Sequence, residues 1–70
     1  MKLRTGSHVL IIYEGREIEG HVRIASENQR SLALVFDGML GGYVGMMPVV
    51  DNGDGYRDLV EGKPVEVRPI

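Results

Sequence analysis

The sequence predicts an all-β protein of one domain, residues 1–70, in which five strands close as a small barrel. Short runs of apolar and β-branched residues occur along the chain, and nowhere do apolar residues recur at helical spacing over ten or more positions. Ten glycines and three prolines punctuate these runs, which is typical of short strands joined by tight turns. Closure into a barrel is the economical arrangement because it leaves few exposed sheet edges.

The first element is a predicted hairpin. The segment "SHVLIIYEGREIEGHVRIAS" contains two β-rich runs around residues 14–17, and Gly15 can adopt the positive φ that a tight turn requires. We expect Tyr13 to pair with Ile18 across this turn. That register predicts an inward face made of Val9, Ile11, Tyr13, Ile18, Val22 and Ile24.

The two histidines fall on the outer face of this hairpin. In the expected register His8 faces Arg23 and His21 faces Leu10, so the histidines are not cross-strand partners. A zinc site needs at least three protein ligands, and no third ligand is evident nearby. The sequence therefore predicts two solvated histidines and no metal site.

Two further strands follow a polar loop. The run "LALVF", residues 32–36, ends at a natural Asp-Gly turn, and "GGYVGMMPVV", residues 41–50, supplies the fourth strand. The fourth strand is apolar on both faces, which favours a position inside the sheet. Pro48 has no N–H to donate and is therefore expected at a strand edge, a bulge or a place where a ladder ends.

The chain ends with a predicted helical turn and a fifth strand. The segment "YRDLV", residues 56–60, follows Asp54 as a possible helix cap and precedes Gly62, which can close a helix. The segment "PVEVRP", residues 64–69, alternates in the manner of a half-buried strand.

This order of elements resembles that of the SH3-like barrels across nearly the whole chain. The glycine, aromatic and proline residues of "GGYVGMMPVV" are similar to a strand near the end of signalling SH3 domains. The resemblance implies a strongly bent small barrel. The tryptophan pair that helps to form the peptide groove of those domains is absent, since the chain has no tryptophan.

Two other resemblances concern the hairpin and the loop after it. Gly15 and Gly20 are spaced as in the first motif of Sm-like proteins, and the loop with Ser26 resembles the nucleotide-binding pattern of PilZ proteins. These resemblances imply a small nucleic-acid-binding or nucleotide-binding barrel. Gln29 and Arg30 stand at positions where those families have other residues. The resemblance therefore concerns the shape of the bent hairpin more than the residues of a binding site.

Composition sets further limits on the class of protein. Hydrophobic residues make up 43% of the chain, charged residues make up 26%, and the net charge is -2. The absence of cysteine excludes disulfides and thiolate metal sites and suits a reducing compartment. Without a long apolar run, we expect a soluble, cytoplasmic protein with no membrane partner.

Two segments resemble ligand-binding loops, but neither has the side chains that such a loop needs. A phosphate-binding loop is not expected, because no Lys, Arg or His occurs from residue 31 to residue 56, and its glycines are interpreted as turn and bulge residues. The acids of "DNGDGYRDLVEG" fall on calcium-loop positions, but Val50 occupies the first position and has no side-chain oxygen. We find no catalytic constellation and expect a protein that is not an enzyme and has no cofactor.

The remaining prediction is a non-catalytic protein-interaction or self-association module. An apolar strand with adaptable methionines is favoured where a partner covers it. The expected contacts are Tyr43, Met46, Met47 and Pro48, and the partner is another protein or a second copy. The sequence leaves open whether Met46 and Met47 face the core or the partner.

The alternative is a barrel that binds nucleic acid through Arg16, Arg23 and Arg30. These side chains supply positive charge for phosphate groups. Glutamates are interleaved with them, and no exposed aromatic ladder accompanies them to stack on bases.

Overall fold

A computed structural model describes residues 3–70, which form a closed antiparallel barrel. The all-β small barrel is confirmed, although it has six strands in place of the expected five. Each strand pairs with the next along the chain, and the last strand pairs with the first. The strands are β1 (His8–Tyr13), β2 (Arg16–Ala25), β3 (Ser31–Leu40), β4 (Tyr43–Asp51), β5 (Tyr56–Asp58) and β6 (Pro64–Pro69).

The hairpin of β1 and β2 turns in two residues. Glu14 and Gly15 both have positive φ, 51° and 77°, as a type I′ turn requires. Tyr13 therefore pairs with Arg16, and the predicted pairing with Ile18 was wrong by two residues. An even shift leaves each side chain on its expected face. The buried positions of Val9, Ile11, Tyr13 and Val22 are thus confirmed, and Ile18 packs partly buried against them.

A bulge in β2 moves Ile24 to the outside. The register between β2 and β3 shifts between Val22 and Ile24, so that one extra residue reverses the alternation of faces. Ile24 was expected to face inward, but its side chain is 61% exposed. It lies beside Ala33 of β3 on the outer surface.

The predicted helical turn at residues 56–60 was wrong. Tyr56–Asp58 form β5, which pairs with β4 on one side and β6 on the other and so closes the barrel. Leu59–Glu61 form a tight turn, closed by a hydrogen bond of 3.0 Å from the Gly62 N–H to the Asp58 carbonyl. Sheet closure overrode a local pattern too short to hold a helix by itself. None of the described residues forms a helix able to span a membrane.

The core is a single cluster of apolar side chains, fully buried from every strand except β5, whose Tyr56 packs against it partly buried. The glycines from residue 38 to residue 45 shape its wall, as interpreted from the sequence. Gly41 and Gly42 form the turn between β3 and β4, while Gly38 and Gly45 have positive φ close to the register shift between these strands. The buried apolar residues are Leu3, Val9, Ile11, Tyr13, Val22, Leu32, Leu34, Leu40, Met47, Val49 and Val65.

Candidate protein-interaction surface

The outward side chains of β3 and β4 form an apolar surface, here called the outer β3–β4 face. Cross-strand pairs define it, because residues directly opposite each other in an antiparallel pair share a face. Inward neighbours such as Leu34 and Met47 fill the core between these positions. The face comprises Ala33, Val35 and Met39 of β3 and Val44, Met46, Pro48 and Val50 of β4.

Several of these side chains are largely open to solvent. Val44 is 71% exposed, Met46 is 48% exposed and Met39 is also well exposed. Ile24 borders the face on the β2 side, and Leu59 borders it on the β5 side. Contiguous exposed apolar area of this kind marks an interaction site more often than a scattered apolar residue does.

One end of the face is concave. Ile24 lies beside Ala33, Ala33 pairs with Pro48, and the Leu59 N–H donates to the Pro48 carbonyl at 3.3 Å. The two small side chains make the floor, and the two larger exposed ones make the walls. The resulting groove has a volume of about 250 Å³ and its lining is mostly apolar.

The four residues predicted as partner contacts divide between surface and core. Met46 lies on the outer face, whereas Met47 is 0% exposed and belongs to the core. Tyr43 is half-buried, and its hydroxyl group points to Asp58. Pro48 lies in the groove floor, and the β4–β5 ladder begins at Val49, immediately after it. The expectation that Pro48 stands where a ladder ends is therefore confirmed.

The outer β3–β4 face is nearly free of charge. Between Ser31 and Val50, Asp37 is the only charged residue in the sequence. It lies within the irregular part of β3, where the register with β4 shifts. Arg57 lies beside the face, opposite Val50, but the face itself is built of apolar side chains.

A buried carboxylate holds the turn beside this face. One oxygen of Asp58, Oδ2, accepts hydrogen bonds from the Tyr43 hydroxyl at 2.7 Å and the Glu61 N–H at 2.8 Å. The other, Oδ1, accepts one from the Lys63 N–H at 2.7 Å. Burial alone would raise the pKa of Asp58, but these hydrogen bonds more than offset it and lower the pKa below the ordinary 3.8.

This role of Asp58 was not predicted from the sequence. The available signal was an aspartate three residues before a backbone N–H that a turn exposes, a spacing at which Asp side chains cap turns. Through Asp58, the turn at Leu59–Glu61 is tied to Tyr43 of β4. The Leu59 wall of the groove is thereby fixed against the strand that supplies the groove floor.

Tyr13 provides a prediction at alkaline pH. Burial, followed by the negative charges of Asp58 and Glu61, raises its pKa from 10.0 to about 12. Because the folded state holds this proton more tightly, the associated stability is complete below pH 10 and is lost as the pH rises toward 12. We expect the free energy of unfolding to fall by about 2 to 3 kcal/mol over this range, at about 1.4 kcal/mol per pKa unit.

Urea unfolding at a series of alkaline pH values measures this loss. Tyr13→Phe retains the ring and has no proton to lose, so its alkaline loss should be smaller than that of the wild type. Burial and the hydrogen bond to Asp58 also raise the pKa of Tyr43. Tyr43 therefore accounts for part of the alkaline loss of stability that Tyr13→Phe retains. Equal alkaline losses in both proteins would contradict the assignment to Tyr13.

The histidines contact each other, contrary to the prediction. His8 lies directly opposite His21, and their rings stack with centroids 4.8 Å apart and an interplanar angle of 12°. The same two-residue error in register placed them apart in the sequence analysis. The His8 Nε2 atom lies 3.2 Å from a Glu19 oxygen. Within residues 3–70, no group of three His, Cys, Asp or Glu side chains is arranged to hold a metal ion.

The acids of the calcium-like segment are engaged in local contacts. The Asp51 Oδ1 atom accepts hydrogen bonds from the Gly53 N–H at 2.7 Å and the Gly55 N–H at 3.2 Å, which builds a turn. Asp54 pairs with Arg57 at 3.3 Å. These contacts explain the local pattern of acids as turn chemistry.

The three arginines of the nucleic-acid alternative are all exposed. Arg16 follows the β1–β2 turn, Arg23 lies at the bulge of β2, and Arg30 lies in the loop before β3. At about 3.3 Å per residue, Arg16 and Arg23 are separated by roughly 23 Å along the strand. Arg16 therefore lies at the opposite end of β2 from the bulge that carries Arg23.

The fold and the surface together define a small six-stranded antiparallel barrel with an apolar, nearly uncharged outer face on two neighbouring strands. No protein-family model, no curated protein and no solved structure matches the chain. The resemblances to SH3-like, Sm-like and PilZ proteins therefore hold only at the coarse level of a small β-barrel.

Proposed function

We propose that the protein is a non-catalytic self-association module that binds a second copy of itself through the outer β3–β4 face. The observation that carries this proposal is the set of exposed apolar side chains on two paired strands, centred on Val44 and Met46. Their burial would remove from water an apolar area that the folded monomer leaves uncovered.

Charge and size both favour a second copy as the partner. A symmetric contact brings a surface against itself, so a face with a net charge would repel its own copy, and this face carries almost none. A chain of this length also buries a modest fraction of its surface, and self-association adds to that burial.

The contact area sets the strength expected of this association. Two neighbouring strands make a strip roughly 10 Å wide, so along the longest dimension of the molecule, 27 Å, the outer β3–β4 face covers about 270 Å². Stable, specific interfaces bury about 800 Å² of accessible surface per partner, and smaller ones are typical of weak, transient contacts. We therefore expect a weak, reversible dimer that forms at high protein concentration.

Sedimentation across a concentration series tests the proposal. We expect the wild type to associate reversibly and Met46→Glu to remain monomeric, because the substitution places a charge at the centre of the buried patch. Ile70→Glu is the matched control, since Ile70 is a 63% exposed apolar residue next to His8 and outside the face. Identical behaviour of the wild type and Met46→Glu would overturn the proposal.

A further inference from the structure

The outer β3–β4 face contains an exposed methionine side chain and, beside it, an apolar groove. Met46 stands out from β4, and Pro48, two residues further along the same face, lies in the floor of the groove. Two residues along a strand span about 7 Å. A knob and a groove thus lie side by side on one surface.

Building on the proposed function, we propose that the protein forms a closed twofold dimer in which Met46 of each copy enters the groove between Ile24 and Leu59 of the other. In a twofold contact, if residue i of one copy meets residue j of the second, then j also meets i. A twofold axis passing between Met46 and Pro48 satisfies this condition for both knobs at once. The contact buries the outer β3–β4 face of both copies. No third copy can then bind to that face, so the assembly is a dimer.

The dimensions and chemistry of the groove suit a methionine. Its volume is about 250 Å³, and an apolar cavity of about 150 Å³ is large enough to hold a benzene molecule. The floor residues Ala33 and Pro48 leave this space open because their side chains are small. Methionine has three rotatable bonds and adapts to irregular apolar gaps, so Met46 can follow the groove without a preformed shape.

The two strand faces can also approach each other closely. β3 and β4 of each copy present apolar side chains outward, and two sheets that pack face to face lie about 10 Å apart. In that arrangement Val44 and Met39 lie beside the Met46 contact and extend the apolar area. Asp37 is exposed in the irregular part of β3 and can remain in water.

Filling the groove with an apolar side chain separates this geometry from less specific association. Ala33→Ile keeps the face apolar and suits a strand, but it occupies the space that Met46 would enter. We expect the dimer dissociation constant of Ala33→Ile to be roughly 100-fold higher than that of the wild type. The reason is that each dimer would lose the burial of two methionines. If Ala33→Ile dimerises as tightly as the wild type while Met46→Glu is monomeric, the face mediates association but the knob-in-groove contact is wrong.

A direct contact between the two copies provides a positive readout, measured as isotope-filtered methyl NOEs in a mixture of ¹³C-labelled and unlabelled wild-type protein. The geometry predicts an intermolecular NOE between the Met46 Cε methyl group and the Ala33 Cβ methyl group, because the flexible methionine side chain of one copy reaches the groove floor of the other. The methyl groups of Ile70, which lies next to His8 and outside the face, are the control and should give no intermolecular NOE to Ala33.

The outcomes distinguish the two proposals. A monomeric wild type at all concentrations overturns both, and in that case the face is left for a different protein partner. Association that Met46→Glu abolishes, without an intermolecular NOE between Met46 and Ala33, keeps the proposed function and rejects the twofold contact. A series of species larger than a dimer rejects the closed geometry as well.

Discussion

Asp58→Asn is expected to lower the free energy of unfolding by about 3 kcal/mol, since hydrogen bonds to a charged group contribute about 1.5 to 3 kcal/mol each. The carboxylate accepts from Tyr43, Glu61 and Lys63 with its two oxygens, and it is 2% exposed. An asparagine side chain has one oxygen and one NH₂ group. In either orientation, the NH₂ group would face a donor that needs an acceptor.

The pH dependence of stability gives this prediction an independent signature. Because the pKa of Asp58 is lowered in the folded state, its contribution is present above about pH 4 and is lost as the pH falls through the folded pKa. Asp58→Asn has no such group to protonate. The difference in stability between the wild type and the variant should therefore shrink as the solution is made acidic.

Asp54→Asn is the matched control for Asp58→Asn. Asp54 is an exposed acid four residues earlier, with one ion pair to Arg57. Exposed ion pairs contribute about 0.2 to 1 kcal/mol, so urea unfolding should detect at most a small change. If the two variants are equally stable, Asp58 is not the anchor of the turn.

Asp58 also connects the stability of the fold to the proposed interaction surface. The turn that it anchors carries Leu59, which forms one wall of the groove. Loosening the turn would change the shape of the groove without altering any residue on the outer β3–β4 face. A folded Asp58→Asn protein should accordingly dimerise more weakly than the wild type, although Met46 is unchanged.

The sequence predicted which side chains of a strand point inward better than it predicted which residues pair across neighbouring strands. Alternation along β1 and β2 indicated which side chains of these strands are buried, because that period depends on the pleat and not on the turn. The pairing of Tyr13 depended on the length of the turn, and a turn two residues shorter brought His8 and His21 together. Ile24 shows the limit of alternation, since one bulge residue reverses the faces beyond it.

Long-range contacts explain the other differences between prediction and structure. Residues 56–58 become a strand because β4 and β6 lie on either side of them, which no local pattern of three residues reveals. Likewise, Met46 and Met47 are adjacent and chemically identical. Their division between surface and core follows from the register of β4 against β3, which the sequence alone did not fix.

Gly20→Ala should also destabilise the protein strongly, because this position has no room for a side chain. Gly20 lies in the middle of β2, paired with Val9 of β1 and Phe36 of β3. An added Cβ would collide with the Val35 carbonyl oxygen of the neighbouring backbone and would also lie 3.0 Å from the Ile11 Cδ1 atom. The backbone of β3 cannot move away without disturbing its ladder with β2.

We expect Gly20→Ala to lower the free energy of unfolding by about 3 kcal/mol, at the upper end of the usual effect of overpacking. Gly42→Ala is the matched control, because Gly42 has no left-handed φ and no atom lies within 4 Å of its added Cβ. That exposed turn position should change stability by less than about 0.5 kcal/mol. Urea unfolding of both variants measures the contrast, and a Gly20→Ala protein as stable as Gly42→Ala would show that β2 and β3 do not approach as closely as described.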